Sequence, residues 1–215
     1  TGDEVTGRIC LGVTPSSTLI HAHRAIRQLV KEFPLVGVKV VTGSPQTLCP
    51  RMLAGDIHLI IGSSYLNRWS ELDIISLAEL HFACILRKGH PLAQLNSISE
   101  VDVLGYPLIL PESINPVHSD TAKRYAHHDL DPPKPRYVTD DMDLVLQLIS
   151  TTDAWFPMMQ PSPTFGDLDE HFWVLRDVVE MPTRYLSIAK SSIHTTSIMT
   201  ERLLNLIISQ FSQSR

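Results

Sequence analysis

The chain has 215 residues, 43% of them hydrophobic and 19% charged, and a net charge of −5. That length suits one large domain or two small ones, and the composition is that of an ordinary globular protein. The acidic balance excludes a strongly basic nucleic-acid footprint, and no apolar run reaches the length of a membrane span.

The chain starts at Thr1, with no methionine and no signal peptide, which reads as a processed protein or a cut fragment. Thr1 to Gly7 is polar. Ile9 to Val13 reads as one buried strand that breaks at Thr14-Pro15 into a run of hydroxyls. The spacing of Leu19, Ala22, Ile26, Leu29, Val30 and Phe33 predicts a helix from about Ser17 to Phe33, with Arg24, Arg27, Gln28 and Lys31 on another face. Pro34 stops it. Val36 to Val41 is a second strand, and Gly43-Ser44-Pro45 a turn. A helix from about Gln46 to Ala54 ends at Gly55. His58 to Gly62 is a third strand, apolar after its first residue, as a parallel strand covered on both faces should be. Ser63 and Ser64 follow it.

Ile74 to Glu79 and His81 to Leu86 read as two extended stretches, and Gly89-His90-Pro91-Leu92 as a turn. Ile98 to Leu104 predicts a short helix, Tyr106 to Leu110 a strand, and Ser119 to His128 another helix. Pro132, Pro133 and Pro135 mark a rigid extended linker into a strand near Arg136 to Thr139. Asp140 begins a helix carrying Met142, Val145, Leu146, Leu148 and Ile149. Asp153 to Met159, Phe172 to Val178 and Tyr185 to Ala189 are strands, and a helix from about Thr195 to Phe211 closes the chain. Alternation of this kind argues for an α/β fold with parallel sheets.

The chemistry-bearing residues do not form a reactive motif. There is no nucleophile elbow, HExxH, phosphate loop or dinucleotide fingerprint, so no catalytic residue and no cofactor is expected. Of the ten histidines, His21 and His23 are two apart on a helix and do not face together, and His127-His128 ends a helix, where histidine suits the dipole. No metal site is expected. Cys10, Cys49 and Cys84 have no metal-ligand spacing and read as buried reduced thiols of a cytoplasmic protein.

Four segments carry a family resemblance. They are Gly7-Arg8-Ile9-Cys10-Leu11-Gly12 before a serine-rich helix start, Phe33-Pro34-Leu35-Val36, Met52 to Gly62 (MLAGDIHLIIG), and the turn Gly89-His90-Pro91-Leu92. In this order and at these separations the chain resembles, over nearly its whole length, the effector-binding domain of LysR-type transcriptional regulators. The resemblance implies the type 2 periplasmic-binding-protein fold: two Rossmann-like α/β subdomains joined by two crossover strands. Subdomain I would be residues 1–80 plus 185–215 and subdomain II residues 81–184, with crossovers near Leu80-His81 and Arg184-Tyr185. Two departures stand out. His58 replaces a frequent aspartate, and Ser150 to Pro157 keeps the family's strand and proline but not its glycines.

The resemblance also implies a function. A small-molecule metabolite binds between the subdomains and shifts their arrangement. A homodimer or homotetramer forms through the helices around Leu19 to Phe33 and Thr121 to His128, although their apolar faces would also suit packing within the domain. The oligomer reads DNA through an N-terminal winged helix-turn-helix absent from this sequence and contacts RNA polymerase, with no membrane involved. A transporter's solute-binding protein shares the fold and is the alternative; an enzyme on the same fold is the more distant one.

The ligand candidates lie at strand ends and helix starts, where open α/β sheets bind ligands. Ser16 matches the family position that hydrogen-bonds effector, with Thr14 and Ser17 beside it; either serine would also serve as a helix cap. Ser44 opens the second helix, and one of Ser63 and Ser64 lines the site while the other caps the turn. From the second half come Pro111 and Glu112. An inward Glu112 would disfavour a carboxylate effector and favour an amine or hydroxyl; otherwise it is a solvated loop residue. Thr139 and Asp140 complete the set, Asp140 suiting a helix cap as well as a ligand contact.

Overall fold

Five of the seven residues of strand β1 (Gly7–Val13) are buried, because the strand is flanked on both sides and covered on both faces. It belongs to a computed structural model that describes residues 7–14, 20–112, 116–161 and 167–212. The chain divides into two units. One holds the described residues up to Ala78 and from Tyr185 onward, and the other is Glu79–Arg184.

In the first unit β1 runs parallel to β2 (Val36–Thr42) and to β3 (Leu59–Ser63), with Val13 in register with Thr42 and with Ile61. On the far side of β3 lies β9 (Arg184–Ser191), antiparallel to it. Helix α1 (Ile20–Glu32) packs on α7 (Ile198–Ser212), and Arg202 clasps Glu32 with two hydrogen bonds of 2.7 Å each. Helix α2 (Pro45–Leu53) opens on a proline, whose missing N–H costs nothing in the first turn. Its Leu48, Cys49 and Met52 are buried against Cys10, Ile57, Ile60 and Leu66. Each fully buried aliphatic side chain contributes about 1.5–3 kcal/mol. Gly55, at φ +85°, ends this helix in the left-handed conformation that glycine adopts most readily.

In the second unit the later part of β4 (Leu72–Arg87) pairs antiparallel with β7 (Phe156–Gln160) and β8 (Phe172–Arg176). A separate parallel pair, β5 (Ile109–Leu110) and β6 (Tyr137–Val138), carries helices α4 (Pro116–His127) and α5 (Met142–Thr151). Two short helices, α3 (Glu100–Leu104) and α6 (Asp167–His171), complete it. Trp155, fully buried, packs with Leu108, Leu110 and Tyr125, while Ile109, Val145 and Ile149 fill a second cluster with Ala83 and Ile85.

Several expectations are corrected. The large sheet is mixed rather than parallel: β3–β9, β4–β7 and β4–β8 are antiparallel. The two extended stretches at 74–79 and 81–86 are one strand of 16 residues. The strand expected over Tyr106 to Leu110 shrinks to Ile109–Leu110, because Pro107 and Leu108 bond irregularly to Trp155 and Arg136. The strand expected from Asp153 begins at Phe156, since Asp153 turns its carboxylate to Arg87. Pro157 is tolerated there because β7 is an edge strand. Helix α1 is described from Ile20; its expected start near Ser17 lies outside the described residues. The last helix starts at Ile198 rather than Thr195, after Ser197 accepts the Thr200 N–H. Helix α6 had no expectation, since five residues carry too little periodicity.

Candidate functional site

Two hydrogen bonds extend the parallel ladder past the end of β1. Thr14 N–H donates to Ile61 O at 2.9 Å, and Gly43 N–H donates to Val13 O at 3.2 Å. Thr14, Gly43-Ser44 and Gly62-Ser63 therefore lie side by side at the carboxyl edge of β2, β1 and β3. The hydroxyl of Thr14, itself buried, sits over Gly62: a Cβ there would stand 2.6 Å from Thr14 Oγ1.

Ser44 precedes α2, and its carbonyl accepts the N–H groups of Thr47 and Leu48, both at 3.0 Å. Its hydroxyl makes no capping bond. Instead Oγ stands 3.4 Å from Thr47 Oγ1, which donates to Ser44 O at 2.9 Å. Ser63 is half-buried at the end of β3, opposite Leu186. Ser64 opens a 3-10 turn reaching Arg68, its side chain outside the described part of the structure. Ser16 and Ser17 lie outside the described residues. This edge offers neutral hydroxyls and backbone groups, suited to hydrogen-bonding a polar molecule.

In the second unit the carboxyl ends of β5 and β6 are also adjacent, through Thr139 N–H donating to Leu110 O at 3.1 Å. Pro111 O lies 2.7 Å from His118 Nε2, which donates to it from the first turns of α4. Glu112 is exposed. Thr139 Oγ1 accepts the Asp141 N–H at 3.1 Å, and Asp141 Oδ1 accepts the Leu144 N–H at 3.0 Å. The cap of α5 is thus Asp141, and the capping role considered for Asp140 is corrected by one residue. Asp140 remains exposed at the step before it.

The strongest electrostatics lie elsewhere in this unit and were not foreseen. Glu100, its side chain 9% exposed, takes two hydrogen bonds from Arg124, at 2.7 and 2.6 Å, and one from His128 at 2.7 Å. The Glu180 N–H adds a fourth at 3.3 Å. Burial pushes the Glu100 carboxyl up, but the bonds from Arg124 and His128 outweigh it and hold it below its ordinary value. Asp120, fully buried on α4, is paired with Arg184, and Lys123 Nζ lies 3.6 Å away. His128 thus serves a carboxylate rather than the helix dipole. Only the partners' separation in sequence, 24 residues for Glu100 and Arg124, hid this cluster. Among the described residues no group of three or more histidine, cysteine or acidic side chains is placed to hold a metal ion. No helix there is long and apolar enough to cross a membrane.

Comparison with known proteins bears on what these edges serve. A family model described as the LysR substrate binding domain matches residues 2–212. The HTH-type transcriptional regulator SsuR of Burkholderia cenocepacia is 26% identical over 107 residues, covering 50% of this chain and 35% of that protein. The chain spans about a third of the length of the curated relatives it matches. The effector-binding domain of QuiR in complex with shikimate superimposes with a TM-score of 0.78 at 16% identity, covering 97% of this chain and 99% of that one. Full-length CbnR, a LysR family regulator solved with its target DNA, gives a TM-score of 0.67 at 16% identity, covering 96% of this chain and 70% of that one.

Proposed function

The chain belongs to the LysR substrate binding domain family, and from that premise we propose that it senses a small polar metabolite on behalf of a DNA-binding transcription regulator. It is a binding domain of the regulator type, not an enzyme. The observation that carries the reading is the row of hydroxyl-bearing strand ends, Thr14, Ser44 and Ser63, set side by side by the parallel ladder. Ser16, Ser17 and Ser64 belong to the same set. The second unit offers its own strand ends, with Pro111, Glu112, Thr139 and Asp140. The metabolite carries hydroxyl or amine groups that such neutral and acidic residues can bond. A ligand acts by preferring one arrangement of the protein over another, so its effect is limited by that difference in affinity.

The whole regulator is proposed to be a cytoplasmic homodimer or homotetramer. It would read DNA through an N-terminal winged helix-turn-helix and contact RNA polymerase. The complexes of QuiR with shikimate and of CbnR with DNA support the two binding roles by likeness.

The test is a thermal-shift screen of this chain against small polar metabolites, followed by calorimetry on the hits. A true effector at a hundred times its Kd adds about 2.7 kcal/mol of stability. Its affinity should fall at least tenfold in Ser44→Ala or Thr14→Val. Binding indifferent to both substitutions would overturn the assignment of the site.

A further inference from the structure

We infer that the buried ion pair between Asp120 and Arg184 is a two-state latch, and that through helix α4 it positions the strand end at Pro111 and Glu112 and ties it to the start of β9. The inference deepens the proposed function, since it rests on reading that strand end as part of the ligand site.

Two arginines of this protein meet a carboxylate by a fork. Arg124 puts Nε and Nη2 on the two oxygens of Glu100 at 2.7 and 2.6 Å, and Arg202 does the same to Glu32 at 2.7 Å each. Arg184 makes one prong of that fork. Its Nη2 donates to Asp120 Oδ2, while its Nε and Asp120 Oδ1 are buried and meet no hydrogen-bond partner among the described residues. One idle atom is a donor and the other an acceptor, and each is the neighbour of an atom already bonded, so the second prong satisfies both. Lys123 Nζ lies 3.6 Å from Oδ1, on a side chain 74% exposed. The Asp120 side chain is wholly buried and that of Arg184 is 20% exposed, an environment in which an unmade bond is costly.

Each partner is also held elsewhere. Arg184 is the first residue of β9, and two residues on Leu186 is fixed opposite Ser63 in the antiparallel ladder with β3. Asp120 sits on α4, which Arg124 and Tyr125 tie to α3, the Tyr125 hydroxyl donating to Leu104 O at 2.8 Å. Two residues before Asp120, His118 fastens the same helix to Pro111 O at 2.7 Å. With the Asp120 side chain buried, closing the fork shifts α4 against the start of β9, and α4 carries Pro111 with it. A pair with two discrete arrangements, tied to a strand end, is the kind of element through which coupling travels. A ligand that grips Pro111 or Glu112 better in one arrangement shifts the latch toward it.

The experiment is NMR relaxation dispersion on the unliganded 215-residue chain, read at Arg184 Nε and at the backbone amides of Glu112, His118 and Leu186. These sites should exchange at one common rate on the microsecond-to-millisecond scale, with a minor state of about 0.1–10%. Asp120→Asn keeps the shape and removes the charge; Arg184→Lys keeps the charge and removes the fork. Each should abolish the exchange at Glu112. Arg176→Lys, at the pair with Asp169, is the control and should leave it in place. A static Arg184 Nε, rates that differ among the sites, or exchange at Glu112 that survives both variants would overturn the proposal. A single state in which the Arg184 Nε–H shows a cross-peak to water would overturn it in favour of a water-bridged pair. The unsubstituted chain gives the first reading even where a variant does not fold. No effector is used, so a failed ligand screen leaves the result standing, and a static latch leaves the ligand site as proposed.

Discussion

His58 and Cys10 hold each other through two hydrogen bonds: the Cys10 N–H donates to His58 Nδ1 at 2.8 Å, and the His58 N–H donates to Cys10 O at 2.9 Å. An imidazole nitrogen thereby completes the hydrogen bonding of β1 just before β3 begins.

His58→Ala should leave the Cys10 N–H without its acceptor and lower stability by about 1–3 kcal/mol. His58→Asp supplies another acceptor at that position and should cost less than half as much. Urea denaturation of the two variants checks the ordering. Equal losses would show that the imidazole packing, not the acceptor, matters.

Gly62→Ala should drive a methyl into the Thr14 hydroxyl and destabilise by about 1–3 kcal/mol. Thr14→Ala in the same chain removes the obstructing atom, so the double variant should be more stable than the sum of the singles. A double-mutant cycle by denaturation measures the coupling, and strict additivity would refute the contact.

Arg124→Met should be among the most damaging single changes in the second unit. It leaves Glu100 buried with its main partner gone, at a cost of about 3–5 kcal/mol. The Glu100 carboxyl lies below its ordinary 4.5 in the folded state. Its contribution is therefore complete above pH 4.5 and lost as pH falls through the lower, folded value. Arg124→Met should move acid unfolding to higher pH, followed by circular dichroism across an acid titration.

His90 has the opposite charge logic. It is fully buried, its Nδ1 accepts the Leu92 N–H at 3.2 Å, and its Nε2–H donates to Asp153 O at 3.2 Å. Burial keeps its pKa below the ordinary 6.5. Its contribution is complete above pH 6.5 and declines as pH falls toward the folded value, with a slope of at most about 1.4 kcal/mol per pH unit. His90→Phe should be less stable at neutral pH and should flatten that part of the stability–pH curve.

The strands with continuous apolar runs and the longer helices were legible in the sequence because burial on both faces, or on one stripe, leaves a periodic mark. Leu59 to Gly62 and Val145 to Ile149 are examples. Strand direction was not. Whether β9 runs parallel or antiparallel to β3 depends on where the chain returns, and no local pattern records it. The cap of α5 was missed by one position because Asp140 and Asp141 have the same chemistry, and only geometry separates them. The strand ends carrying Thr14, Ser44, Ser63 and Thr139 could be located because a strand followed by a helix start defines an edge. The Glu100 cluster could not, since Arg124 and the Glu180 backbone approach it from 24 and 80 residues away.

The cap of α2 has an evolutionary consequence. Ser44 begins the helix through its carbonyl, while its hydroxyl bears none of the helix's capping load. Replacement by alanine or glycine would be nearly silent to selection for folding. Thr14 is not so free, wedged over Gly62. Neighbouring positions on one edge are thus under different constraint from folding: Ser44 can drift, while Thr14 anchors the scaffold. On the proposed reading of this edge as the ligand site, new specificities would arise first at Ser44.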